Sequence, residues 1–338
     1  MSGITNLIGH IKLPKFVKAR QVFDKTEMTP AEISEELKKG FEKEGIKGRI
    51  KPGQRICITC GSRGVSNMAF VTKALADYVK SMGVEPFLIP AMGSHGGATA
   101  EGQVEILKNL GITAESIGCP VLSSMETVKI SRAEGREGME GFDVCIDKNA
   151  FEADGIIVLN RVKAHTSFQG PYESGLMKML TIGLGKQYGA HICHAGGDDN
   201  MSERIGLNGR EVIKHANVVM GVALIENAFD KTNGVFVMPG EEIPLKEPEI
   251  LQKAKKSMGR IWFDSCDVLI VEEIGKNFTG AGMDPNVVGR CVNTKLKMGI
   301  DAQRIGIFGL SAESHGNATG MGRADLATRK FFEQLSFD

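Results

Sequence analysis

Three short apolar segments, each followed by glycine and polar residues, constrain the fold more than any other feature of this sequence. They are Arg55–Cys60, Glu85–Pro90 and Gly155–Leu159. Short apolar runs bounded by turn residues are typical of buried strands. Helical patterns follow the first two, over about residues 67–82 and 99–110. Strands that alternate with helices predict an α/β fold with mostly parallel sheets flanked by helices.

A change in composition near residue 258 divides the 338-residue chain, which is long enough for two domains. We expect residues 1–258 and 259–338 to form separate α/β domains, with the active site in the cleft between them. A charged helix is predicted near residues 248–258, just before the boundary. At the amino terminus, residues 4–24 are predicted to form one or two strands.

Composition excludes several classes of protein. The formal net charge is zero and no segment is strongly basic, so we expect no nucleic-acid partner. The longest apolar run, Val218–Ile225, is too short to cross a membrane. The seven cysteines are scattered, which predicts reduced thiols in a cytoplasmic protein. Cys57 and Cys60 lie in one predicted strand, so we interpret them as core residues pointing to opposite faces.

The third strand leads into the densest group of chemically active side chains. Three of the seven histidines, and one lysine among apolar residues, fall within thirty residues. They are His165, His191, His194 and Lys178. Ligands and acid–base groups cluster in this way when a strand end and the loops beyond it form a pocket.

Each of these residues has an ordinary structural interpretation beside the functional one. His191 and His194 are three residues apart and would share a helix face, either as metal ligands or as an ordinary helix end. Lys178 could be a desolvated amine with a lowered pKa that is ready for covalent chemistry. It could equally pack its stem on apolar surface while the amine reaches water.

The other two strands also end in candidate site residues. The loop after Arg55–Cys60 contains Ser62 and Arg63 and leads into a helix, an arrangement that can bind anions. His95 follows Glu85–Pro90 in a glycine-rich loop, where the backbone can approach a ligand closely. A solvent-exposed turn is the alternative for His95.

The ordered set of these residues resembles the nickel-dependent lactate racemase superfamily, whose members carry a nickel-pincer nucleotide. That family places a histidine, a glycine-rich loop, a lysine and then a second histidine sixteen residues later. His165, Lys178 and His194 fill this order here, with sixteen residues from Lys178 to His194. His95 matches a Gly-x-His of the family, and Arg63 matches its arginine near substrate and cofactor phosphate.

The resemblance implies a racemase or epimerase of a 2-hydroxy acid. Lys178 would be the covalent tether of the cofactor and His194 the nickel ligand. His95 and His165 would be the two acid–base groups, and Arg63 would hold the substrate carboxylate. Ser62, Arg63 and Gly175 would contact the cofactor with Lys178. The expected partners are a small hydroxy acid and the enzymes that build the cofactor.

Two features depart from the family pattern. The segment from His165 to Lys178 spans thirteen residues, longer than in the best-known branch, and Cys60 replaces an acidic residue. Both point to a divergent branch with a different substrate. The family's second domain also supplies a lysine, for which Lys276 or Arg290 is a candidate. Two other functions stay open, namely a zinc or iron hydrolase using the histidines, and a non-catalytic metabolite-binding protein.

Overall fold

The computed structural model describes residues 9–12 and 15–336. Its centre is a five-stranded sheet with the order β2-β1-β5-β6-β7. These strands are β1 (Arg55–Cys60), β2 (Glu85–Pro90), β5 (Gly155–Arg161), β6 (Val218–Glu226) and β7 (Thr232–Pro239). Strands β2, β1, β5 and β6 run parallel, and β7 is antiparallel to β6.

Helices cover both faces of this sheet. In chain order, the helices of the described residues are α1 (Pro30–Phe41), α2 (Met68–Ser81), α3 (Ala100–Asn109), α4 (Ala114–Ile117), α5 (Lys148–Phe151), α6 (Leu176–Lys178), α7 (Lys186–His194), α8 (Met201–His215), α9 (Ile243–Ser257), α10 (Pro285–Val288) and α11 (Arg329–Glu333). The last two, α10 and α11, pack in a separate carboxy-terminal core. A π-helix, Met179–Gly183, directly continues α6. Short 3₁₀ turns occur at Gly96–Ala98, Asp198–Asn200, Gly240–Glu242, Ala312–Ser314 and Met321–Arg323.

The apolar strands are explained by burial on both faces, as parallel sheets require. Helices α1, α2 and α3 contribute to one apolar core, and α6 to α9 contribute to the other. Within β1, Ile56 and Ile58 face the first core with Cys60, whereas Cys57 faces the second. The prediction that both cysteines are core residues on opposite faces is confirmed, because both are fully buried.

Two smaller sheets complete the fold. Strands β3 (Thr127–Ala133) and β4 (Phe142–Asp147) form an antiparallel pair. After α9 comes a parallel sheet of β8 (Ser265–Ile274), β9 (Asp301–Leu310) and β10 (Leu326–Ala327), in the order β10-β9-β8. The boundary predicted at residue 258 falls after the last strand of the central sheet, β7, and before β8, the first strand of the carboxy-terminal sheet. The division into two domains stays a prediction.

The predicted α/β class with a mostly parallel central sheet is confirmed. The strands predicted within residues 4–24 are not found. Residues 4–8 and 13–14 lie outside the described residues, and the others form no strand. Within the described residues, no helix is long and apolar enough to cross a membrane.

Candidate active site

The site lies at the edge of the sheet where parallel strands β1, β2 and β5 end. Arg63 follows β1, His95 follows β2 and His165 follows β5. The chain places β2 on one side of β1 and β5 on the other, so the loops after β1 and β5 diverge. A divergence of this kind opens the crevice in which α/β proteins bind ligands.

His165 is the most firmly held of the predicted site residues. Its backbone N–H donates to Glu173 Oε2 at 2.7 Å, and its ring stacks on Phe168 with the centroids 4.0 Å apart. Burial lowers the pKa of His165 to about 3, with further lowering by Lys178 and His194. The imidazole is therefore neutral at physiological pH.

The partners of His165 also indicate where its proton lies. The backbone N–H of Ser167 donates to His165 Nδ1 at 3.2 Å, and the Ser167 hydroxyl is 3.2 Å from the same nitrogen. A nitrogen that accepts from a backbone N–H carries no proton, so the neutral ring holds its proton on Nε2. No described residue hydrogen-bonds to that nitrogen, so it is available to a ligand.

His95 is held less tightly. It is solvent-exposed, and its Nδ1 forms a short hydrogen bond with the hydroxyl of Ser62, from the loop after β1. Partial burial lowers the pKa of His95, and the cations Arg63 and Lys178 lower it further. Lys178 lowers the pKa of both His95 and His165, so its amine lies within electrostatic range of the two rings.

Lys178 lies at the end of α6, where the backbone changes to the π-helix. π-Helical turns are rare and frequently occur at functional sites. Its amine is 5.4 Å from the centroid of the Phe168 ring and has no hydrogen bond or ion pair with any described residue. Burial lowers the pKa of Lys178 to about 8, helped by Arg63 and opposed by Asp198 and Cys193. The lowered pKa is what the desolvated-amine interpretation predicts, while the residue keeps some exposed surface.

His194 is the last residue of α7 and is solvent-exposed. Partial burial and Lys178 lower its pKa, whereas Asp198 raises it. His191 lies three residues earlier on the same helix and is also exposed. The amine of Lys178 therefore lies within electrostatic range of the His194 ring, and the choice of His194 over His191 as a metal ligand stays a prediction.

Arg63 is an exposed cation at the end of β1. Its guanidinium forms no hydrogen bond or ion pair with any described residue, although the chain packs closely around it. A Cβ atom added at Gly280, in the loop after β8, would lie 3.3 Å from one of its nitrogens. The carboxy-terminal part of the chain therefore lies directly beside a cation that can bind an anionic ligand.

Other contacts from the carboxy-terminal part reach the His165 loop. The Asn286 side chain donates to the His165 carbonyl at 3.0 Å, and the Cys291 thiol contacts the Thr166 carbonyl at 3.5 Å. Of the two candidate cations there, Arg290 is engaged by Asp325 and by backbone carbonyls. Lys276 is exposed, and its amine has no partner among the described residues. Lys276 is therefore the better candidate.

Gly175 has a clear packing role. A Cβ atom there would lie 2.4 Å from Oε1 of Glu247, so a larger residue would displace that carboxylate. Glu247 is fully buried, and its Oε2 accepts from the Met177 N–H at 2.8 Å. Burial raises the pKa of Glu247 to about 7. Glycine at 175 is required for Glu247 to cap the helix of Lys178, while its predicted contact with a cofactor stays a prediction.

Sequence reasoning missed the residues that hold the site from beneath. Glu173 accepts from His165 N–H and pairs with Lys255 at 2.6 Å, and it is fully buried. Glu226 accepts from the Ser66 N–H at 2.7 Å and pairs with Arg161, which joins the ends of the loops after β1 and β5. The sequence did contain one indication of these roles, because Glu173, in a loop, and Glu226, in a strand, are acidic residues with apolar neighbours. A carboxylate buried in such a position needs a partner.

The matching family model is the domain of unknown function DUF362, over residues 61–237. Because this covers more than half of the chain, the protein belongs to that family. A comparison with curated proteins found no match. Among solved structures, the fold is similar to that of a protein from Thermotoga maritima. The TM-score is 0.60 at 16% identity, covering 85% of this chain and 72% of that one.

A second similar structure is the lactate racemase apoprotein from Thermoanaerobacterium thermosaccharolyticum. The TM-score is 0.50 at 13% identity, covering 85% of this chain and 69% of that one. At such identities the likeness establishes the fold. The resemblance found in the sequence is therefore confirmed as a distant structural relation.

Proposed function

We propose that the protein is an isomerase, a racemase or epimerase of a 2-hydroxy acid that uses a nickel-pincer nucleotide joined to Lys178. The observation that carries the proposal is the convergence of five basic side chains at one edge of the sheet. They are Arg63, His95, His165, Lys178 and His194. The likeness to lactate racemase apoprotein supports the proposal at the level of the fold.

The residues present fit the cofactor. Covalent attachment needs a neutral amine, and Lys178, with a pKa of about 8, supplies one more readily than an ordinary lysine. Nickel needs a neutral imidazole, and the lowered pKa of His194 favours that form. When bound, the nucleotide supplies the capacity to accept a hydride from the substrate carbon and to return it.

The protein side chains would bind the substrate and move its hydroxyl proton. Arg63 can hold the carboxylate through two parallel hydrogen bonds. A histidine would take the hydroxyl proton while the bound nucleotide supplied the oxidation of the substrate to its 2-keto acid. The histidine on the other face would return a proton to the oxygen when the keto acid was reduced again, which would give the inverted hydroxy acid. Two histidines, one for each face, could exchange this proton, and His95 is the stronger base because burial lowers the pKa of His165 to about 3.

The two histidines are not equivalent. The contacts of His165 with Ser167 favour a proton on Nε2, so this ring is ready to donate to the substrate oxygen. The Ser62 hydroxyl can either donate to or accept from His95 Nδ1, so this ring can take either tautomer. We infer that His95 takes the hydroxyl proton first, while His165 orients the substrate oxygen through a hydrogen bond from Nε2.

No observation favours the hydrolase alternative. A catalytic zinc usually has three protein ligands, and no group of three or more His, Cys, Asp or Glu side chains in the described residues is arranged to hold a metal ion. The nickel of a pincer nucleotide requires one protein histidine, so it does not need such a group. The enzymes that build the cofactor would be obligatory partners.

Intact mass and metal analysis test the proposal directly. The protein would be produced with the cofactor-building enzymes, and we expect an adduct mapped to Lys178 together with nickel. Chiral chromatography of hydroxy acids and sugar acids would then identify the substrate. Unmodified protein with bound zinc would favour the hydrolase. Unmodified protein without metal, which also fails to invert any hydroxy acid, would favour the metabolite-binding protein.

A further inference from the structure

A fully buried ion pair lies beneath the site, outside the set of residues that the proposed reaction uses. Lys186 Nζ is 3.2 Å from Asp147 Oδ2, and neither side chain is exposed. Burial lowers the pKa of Lys186 and raises that of Asp147. A buried ion pair contributes little net stability compared with apolar packing, so its retention calls for another explanation.

The backbone conformation of Lys186 is a second unfavourable feature beside the buried ion pair. Its φ of 53° lies in the left-handed region, which a residue with a side chain adopts only under constraint. It is also the first residue of α7, the helix that ends at His194. The strained backbone lets the amine point into the core, where it donates to the Pro90 carbonyl at 2.6 Å and to Gln103 Oε1 at 3.1 Å.

Gln103, which accepts from the Lys186 amine, also hydrogen-bonds to the loop of His95. Its side chain is fully buried, and its Nε2 donates to the Gly93 carbonyl at 2.8 Å and to the His95 carbonyl at 3.4 Å. The same loop has Gly93, Gly96 and Gly97 at positive φ. Glycines give a loop much conformational freedom, so a fixed position for His95 requires hydrogen bonds from outside the loop.

We propose that Lys186 and Gln103 are positioning residues that tie the loop of His95 to the helix of His194. The connection runs from α7 through the Lys186 amine and the Gln103 amide to the two loop carbonyls. It keeps the exposed His95 imidazole at a fixed distance from the helix that carries His194. Without it, the loop opens and His95 moves away from Lys178.

Hydrogen–deuterium exchange of the protein measures this without reference to any reaction. Gln103→Met removes the bonds to the loop but leaves the Lys186–Asp147 pair intact. We expect amide exchange over residues 91–99 to rise by about 10-fold or more, with no change over residues 163–174. Gln187→Met, on the exposed face of α7, is the matched control and should leave both segments unchanged.

Lys186→Met tests the other end of the connection and should raise exchange in the same segment. If this variant fails to fold, Gln103→Met still decides the matter. Unchanged exchange over residues 91–99 in Gln103→Met would refute the positioning role, whatever the activity. A rise across the whole chain would also refute it, because it would indicate only lost stability.

The catalytic consequence rests on the proposed function and is measured separately. In cofactor-loaded protein, Gln103→Met should lower kcat for inversion by about 10- to 100-fold with little change in KM, because it misplaces a base without touching the carboxylate site. If the parent protein inverts no hydroxy acid, the proposed function fails while the exchange experiment still stands. If kcat is unchanged in a variant with faster loop exchange, the loop does not position His95.

Discussion

The loops that carry His95 and His165 are held in position by different contacts. The His165 loop is closed at its base by paired backbone hydrogen bonds between Lys163 and Ser174, of 2.8 and 3.1 Å. Buried Glu173 braces it internally. The His95 loop is rich in glycine and is held from beneath by Gln103. The His165 loop is thus closed by its own backbone pair as well as braced by Glu173, whereas the His95 loop is held chiefly through the side chain of Gln103.

This difference has a mechanistic meaning. His165 is stacked, partly buried and neutral over the whole physiological range, with a proton position set by Ser167. His95 is exposed and hydrogen-bonded to a hydroxyl that can rotate. We interpret His165 as a side chain held in one position and His95 as the base that can change its tautomer. Matched substitutions in the two loops test this difference.

The largest effects are expected from His95→Ala and His165→Ala. Each should slow inversion by about 10²- to 10⁴-fold, since each removes one acid–base group, while the adduct on Lys178 stays visible by intact mass. Added imidazole should partly restore His95→Ala, whose position is open to solvent, and should help His165→Ala less. Full activity in either variant would disprove the two-base scheme, and equal rescue would remove the contrast between the loops.

A smaller effect on stability is expected from Glu173→Gln. The carboxylate accepts from His165 and Gly170 and pairs with Lys255, and charge-assisted bonds of this kind contribute most. We expect the free energy of unfolding in urea to fall by about 2 kcal/mol. Glu249→Gln, exposed on α9, is the control. An equal effect at both positions would mean that the bracing of the His165 loop is unimportant.

The strand ends and their polar residues could be predicted from sequence. The apolar runs at β1, β2 and β5 are unambiguous because both faces of the sheet are buried. Parallel strands bring their carboxyl ends to one edge, so Arg63, His95 and His165 could be expected to lie together. The side chains that approach from helices, Lys178 and His194, were candidates from the local pattern, but the choice among their alternative roles came from the family resemblance.

The supporting residues could not be predicted, because their partners are remote in sequence. Glu173 and Lys255 are 82 residues apart, and Lys186 and Gln103 are 83 apart. In sequence, Lys186 resembles an ordinary surface lysine. Its burial is a consequence of its left-handed backbone, and a left-handed lysine has no sequence pattern of its own.

Helix α9 shows the same limitation in the fold. The charged segment predicted a helix near residues 248–258, but α9 begins at Ile243 and runs through Pro248. Proline has no N–H, so it leaves the carbonyl of Pro244, four residues earlier, without its helical partner. The Tyr172 hydroxyl donates to that carbonyl at 2.7 Å. A tertiary contact therefore permits a helix that local rules would end.

The pH dependence of the free energy of unfolding tests the lowered pKa of His165. The pKa of His165 is about 3 in the folded protein and 6.5 as the ordinary value. Between these values the unfolded chain binds more protons, so stability falls as the pH falls below 6.5. From pH 7.5 to pH 5.5 this contribution is about 1 kcal/mol. His165→Gln should reduce the loss seen in urea by that amount, and an undiminished loss would contradict the lowered pKa.

The smallest effects are expected from a matched pair, Ser62→Ala and Ser167→Ala. Ser62 is the side-chain partner of the His95 ring, so its loss should lower kcat by about 5-fold, as one hydrogen bond is worth roughly 1 kcal/mol. Ser167→Ala keeps the backbone N–H that donates to His165 Nδ1, so its kcat should fall by less than about 3-fold. Steady-state kinetics of the loaded protein decides between them. The reverse order would mean that the Ser167 hydroxyl, not the backbone, sets the proton on His165, and that the His165 loop is the adaptable one.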